Sequence, residues 1–134
     1  MNIIICVDNK NGYAFAGRRQ SRDICQIDRM MQVVGQAKLL LNEYSYKLFQ
    51  NPPHNVVLDE DFLNSASNGD YCFVENIDFS DIVDRIDKVI IYRWNRDYPS
   101  DKKIPQNLLE NKKLISVYDF CGNSHEKITQ EVYE

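Results

Sequence analysis

The sequence predicts an α/β fold in a single domain over residues 1–134, with a mostly parallel central sheet flanked by helices and an antiparallel C-terminal hairpin. Three observations carry this expectation. Apolar runs at residues 3–7, 38–41, 56–58, 71–74 and 88–94 have the pattern of strands buried on both faces, which is how parallel sheets read. Segments with helical spacing or turn chemistry separate them. The last two runs, residues 113–120 and 127–133, alternate apolar with polar residues around Gly122-Asn123-Ser124, the chemistry of a closing hairpin.

Ile3-Ile4-Ile5-Cys6-Val7 is a β-branched first strand that ends in the turn-forming Asp8-Asn9-Lys10-Asn11-Gly12. Residues 12–22 follow neither period and contain Gly12 and Gly17, which predicts a mobile, partly aromatic loop. Ser21 is placed to cap a helix whose Ile24, Ile27, Met31 and Val34 recur at three- and four-residue spacing as a buried stripe, and Gly35 can close it. A brief helix over residues 44–50 must stop at Asn51-Pro52-Pro53. Residues 59–69 are polar and turn-rich, and an acidic helix over 78–86 leads into the strand at 88–94. Pro99 and Pro105 make residues 96–106 an irregular connection.

The 43% apolar fraction, with 8 Tyr and 6 Phe, is enough to fill a core at this length. A net charge of −4 gives no general attraction to phosphate backbones or anionic lipid, so nucleic acid would need a local basic patch. No apolar run reaches the ~18 residues that span a bilayer, and the start lacks a signal peptide's pattern; a cytoplasmic protein with no membrane partner is expected. Cys6, Cys25, Cys72 and Cys121 are dispersed without a Cys-x-x-Cys pair and read as small core residues. No metal site is expected from them with His54 and His125.

The order of these elements resembles a shortened dihydrofolate reductase, a fold shared with bacterial riboflavin-pathway reductases. Ile4 to Asp8 running into Asn11-Gly12-Tyr13-Ala14-Phe15-Ala16-Gly17 is similar to that family's first strand and the glycine-spaced loop over its active site. Asp23 falls close to the family's substrate-binding carboxylate. Residues 87–94, the acidic proline-bearing stretch Arg96-Asp97-Tyr98-Pro99-Ser100-Asp101, Ile104-Pro105, and the closing pair around Leu114 and Val132-Tyr133 resemble its late strand, following loop and terminal hairpin.

The departures from the family bear on function. Where the family has a Gly-Arg-x-Thr segment whose helix-opening NH groups and cation hold cofactor phosphates, this chain has Asn42-Glu43-Tyr44-Ser45. Paired glycines that admit the pyrophosphate are matched by Glu75-Asn76, so the resemblance implies a degenerate cofactor site and no nicotinamide cofactor. The chain is also short between Val56 and Tyr71, and Gln20-Ser21 replaces the usual Pro-Trp. Gly122-Asn123-Ser124-His125-Glu126-Lys127-Ile128-Thr129 further resembles small bacterial proteins that carry a ribonuclease Z label. That chemistry needs a dense His/Asp cluster for two metals, and the chain has only two histidines.

Three groups of residues are candidates for function. Asp23 beside Arg22 and Arg19 could be a carboxylate steered by cations, or a helix-opening residue beside solvated arginines. Arg18, Arg19 and Arg22 could hold an anion or RNA phosphate, or stand solvated. Arg93, Trp94 and Arg96 could stack a base or clamp a carboxylate, or form an edge-covering aromatic with solvent-facing cations. His125 reads as a hairpin-turn residue, since no nucleophile elbow accompanies it. The expected function is a non-catalytic binding or regulatory protein for an unidentified protein or small-molecule ligand. The alternatives are a divergent reductase-type enzyme using Asp23, and RNA or nucleotide binding through the arginines.

Overall fold

The computed structural model describes residues 1–134. Five strands run parallel in the order β5 (Val56–Leu58), β4 (Leu39–Leu41), β6 (Tyr71–Val74), β1 (Asn2–Val7) and β7 (Lys88–Arg93). β10 (Ile128–Tyr133) and β9 (Leu114–Phe120) continue the sheet antiparallel, as the alternating C-terminal pattern predicts. The central position of β1 follows from its unbroken apolar run, which leaves no face suited to water.

Alternation along β1 divides the core between the two faces of the sheet. Ile3, Ile5 and Val7 pack with Cys72, Val74, Val89 and Ile91 on one face, beneath Phe62, Phe79, Ile86 and Leu108. Ile4 joins Leu39, Leu41, Phe73, Ile90 and Tyr92 on the other, covered by α1 (Ile24–Val34). The cap of α1 is Asp23 rather than Ser21, because its Oδ1 accepts from Cys25 N–H at 2.9 Å. The buried stripe is likewise rotated from the expected one. Gln26, Met30 and Val34 face the sheet while Ile24 is 63% exposed, which turns that edge of the helix toward a cleft.

The remaining helices are short: α2 (Glu43–Tyr46), α3 (Phe62–Ser65) and a 3-10 helix over Ser80–Arg85. The segment expected to be a mobile loop is instead built into a second, small sheet. β2 (Gly12–Phe15) pairs with both β3 (Arg18–Arg19) and β8 (Lys102–Lys103), the latter inside the stretch expected to be irregular. Ala16 and Gly17, both at positive φ, make the two-residue connection that brings β3 back over the main sheet.

The cysteines depart in part from the core placement expected of them. Cys72 is buried, Cys6 and Cys25 are half-buried, and Cys121 is exposed just after β9. No helix is long and apolar enough to cross a membrane.

Candidate functional site

Open parallel sheets bind ligands where connections diverge at the strands' carboxyl ends. Here those ends bring together Cys6 from β1, Val74 and Glu75 from β6, and Trp94 after β7, with Tyr13, Arg19, Gln20 and Ser21 above them. Side chains of the β2–β3 segment fill the space. Arg19 grips Glu75 with two hydrogen bonds, Nε to Oε2 at 2.8 Å and Nη2 to Oε1 at 2.9 Å. Its guanidinium lies 4.1 Å from the centre of the Tyr44 ring, whose hydroxyl accepts from Arg19 N–H at 2.9 Å. Gln20 donates to Asp8 Oδ2 at 2.8 Å and to the Pro99 carbonyl at 3.2 Å. What is left is a cavity of about 10 Å³, too small for more than one water-sized molecule.

The residues at the expected phosphate position are also committed to one another. Asn42 caps α2 by accepting from Ser45 N–H at 3.0 Å, and the Glu60 carboxylate accepts from Glu43 N–H at 2.7 Å. Asn42 Nδ2 donates to Asn76 Oδ1 at 3.2 Å, and Asn76 Nδ2 to the Gly17 carbonyl at 3.1 Å. Ser45 Oγ donates to Glu75 Oε1 at 2.8 Å. Two of the helix-opening NH groups that would meet a dinucleotide phosphate, those of Glu43 and Ser45, therefore already hold protein oxygens, one of them anionic. These residues do not fit the cofactor. The barrier differs from simple repulsion by Glu43 and Glu75, however, because Arg19 neutralises Glu75 and Glu43 stands exposed.

Asp23 is not steered by Arg19 or Arg22. Its buried carboxylate instead receives Asn123 N–H at 3.0 Å and Cys25 N–H at 2.9 Å on Oδ1. Ser124 N–H at 2.8 Å, Ser124 Oγ at 3.1 Å and His125 Nδ1 at 3.0 Å meet Oδ2. Burial by itself would raise the Asp23 pKa, but the Asn123, His125, Ser124 and Cys25 donors outweigh it and hold the carboxyl well below its ordinary range. An ionised carboxylate only accepts, so Nδ1 of His125 carries the proton. Nε2 then faces the Tyr98 hydroxyl at 2.9 Å, and the ring stacks on Trp94 with centroids 4.4 Å apart at 18°. His125 lies in the β9–β10 connection, as the sequence predicts, but it is buried there as a hub of contacts. Gly122 belongs to the same contact, since a Cβ there would collide with Asp23 Oδ2.

Trp94, 3% exposed and stacked on His125, is unavailable to stack a base or cover an edge. Arg93 is bound to Glu131 at 2.8 Å and Asn11 at 3.0 Å. Of the candidate cations, Arg18, Arg22 and Arg96 remain exposed. Beside Asp23 a cleft of about 650 Å³ opens between the first turns of α1 and the chain after α2. Ile24, Ile27, Leu48 and Phe49 give it an apolar wall, and its charged groups are balanced, Arg22 and Lys47 against Asp23 and Asp28. Sequence spacing could not show this cleft, because its walls come from residues 22–28, 47–50 and 123–124.

No protein-family model and no curated protein matches the sequence. Among solved structures, this chain is similar to dihydrofolate reductase from Enterococcus faecalis, determined in complex with NADP(H) and RAB-propyl. The superposition has a TM-score of 0.69 at 9% identity and covers 99% of this chain and 94% of that one. With identity this low the likeness speaks for architecture, and it agrees with the strand order and the antiparallel ending described above. The chain has the dihydrofolate reductase-like fold.

Proposed function

We propose that this chain is a non-catalytic binding protein on a dihydrofolate reductase-like scaffold, with its ligand site in the cleft beside α1. The observation that carries this reading is the closure of the strand-end site by Arg19 and Gln20, which leaves about 10 Å³ there. A cleft of about 650 Å³ lies within the usual volume range for small-molecule sites, and four apolar side chains stand among its polar lining. The apolar wall beside Arg22, Lys47 and Asp28 favours a small ligand, or a partner's side chain, with an apolar body and a charged end.

The enzyme reading draws support from one feature, the placement of a buried Asp23 against this cleft. Both of its oxygens already accept from N–H donors, Cys25 and Asn123 on Oδ1 and Ser124 and His125 on Oδ2, so neither is free for a substrate's NH groups. The arginine-mediated nucleic-acid reading loses Arg93 and Trp94 to internal contacts. Titrating ¹⁵N-labelled protein with small aromatic and aliphatic carboxylates tests the proposal. Shifts should map to Ile24, Ile27, Leu48, Phe49 and Ser124. Shifts centred on Cys6, Arg19 and Glu75 would move the site back to the strand ends and overturn it.

A further inference from the structure

The two edges of the main sheet are finished differently. β5 is only three residues long, which limits what can pair with it. β9 is seven residues long and contains no proline or lysine, and Leu114, Ile115, Val117 and Tyr118 are 46–56% exposed. Its one charge, Asp119, is exposed near the end of the strand and accepts from Thr129 Oγ1 at 2.7 Å. Apart from it and the register shift beside Leu114, nothing along the strand performs the blunting that edges normally carry.

We propose that β9 is the docking edge for a second copy of this chain, pairing antiparallel across a twofold axis to continue the sheet. The apolar side chains select the occupant. Leu114 and Val117 lie opposite Tyr133 and Glu131 and so share one face of the sheet, while Tyr118 and Phe120 lie opposite Gln130 and Ile128 on the other. A matching strand must therefore be apolar on both faces, and β9 itself is such a strand. Charge agrees with the antiparallel direction. The exposed Lys113 precedes the strand and the exposed Asp119 lies near its end, so each copy's lysine comes alongside the other's aspartate.

Sedimentation of the full chain from about 1 to 100 µM tests this inference. The expected result is a species of twice the 15.7 kDa chain mass, populated increasingly with concentration. Val117→Lys should raise the dimer dissociation constant by about 30-fold or more, the size of a hot-spot loss. Leu58→Lys on the opposite edge should leave it unchanged, and circular dichroism checks that both variants are folded. A 15.7 kDa species across the whole range would overturn the proposal, as would a folded Val117→Lys chain that dimerises like the parent.

Discussion

Asp23 shows how one residue can close a fold and be removed from chemistry by doing so. It caps α1, draws in the Asn123-Ser124 backbone and fixes the proton on His125 Nδ1, while the absence of a side chain at Gly122 lets the loop approach. Replacing it with Asn keeps the shape but puts an NH₂ against donors; the expected loss is about 2–4 kcal/mol, read as a lower urea midpoint at pH 7. The pH dependence has a definite sign. Because the folded carboxyl titrates below its unfolded value near 3.9, its contribution is complete well above pH 4 and is lost as the pH falls toward the folded value. The stability gap between the parent and Asp23→Asn should therefore narrow between pH 5 and pH 3, and a gap that widens would contradict this network. Sequence pattern placed Asp23 at a helix start but could not supply His125 as its partner, because 102 positions separate them and no periodicity reports such a contact.

At the scale of elements, the β2–β3 segment decides what the strand ends can bind. Its sequence lacked a regular period, so it read as a mobile loop, but its order comes from pairing with β8 and from Arg19 reaching Glu75 and Tyr44. Neither cause is local. The turn itself carries a small strain, since Ala16 sits at φ 53°, where glycine or asparagine is at home. Ala16→Asn should raise stability by about 0.5–1 kcal/mol in chemical denaturation, and a loss would mean that this turn is not built as described. The cysteines report on the neighbouring elements. Burial, then Glu75, pushes the Cys6 thiol well above its ordinary value, and burial pushes Cys72 up to about 12. In the native state an aromatic disulfide reagent should modify exposed Cys121 first, whereas Cys72 should react only on unfolding. Equal rates would show that β6 is not shielded.

For the whole molecule, the architecture was legible because buried parallel strands and a solvated hairpin leave different patterns in a chain. The runs around Ile3, Leu39, Val56, Tyr71 and Val89 became the parallel strands, and the alternating runs became β9 and β10. The site was less legible. Glu75 and Asn42 stand out against the family's phosphate positions, but the means of closure, a guanidinium pairing with that carboxylate and the Glu60 carboxylate on the Glu43 amide, depends on contacts between distant segments. We propose that residues of the protein itself fill the scaffold's usual dinucleotide site. Calorimetric titration of the full chain with NADPH tests this. No saturable binding is expected below about 1 mM, a free energy weaker than about −4 kcal/mol. A saturable isotherm with a micromolar dissociation constant would contradict it, because Arg19 and Gln20 would then have to vacate the strand ends.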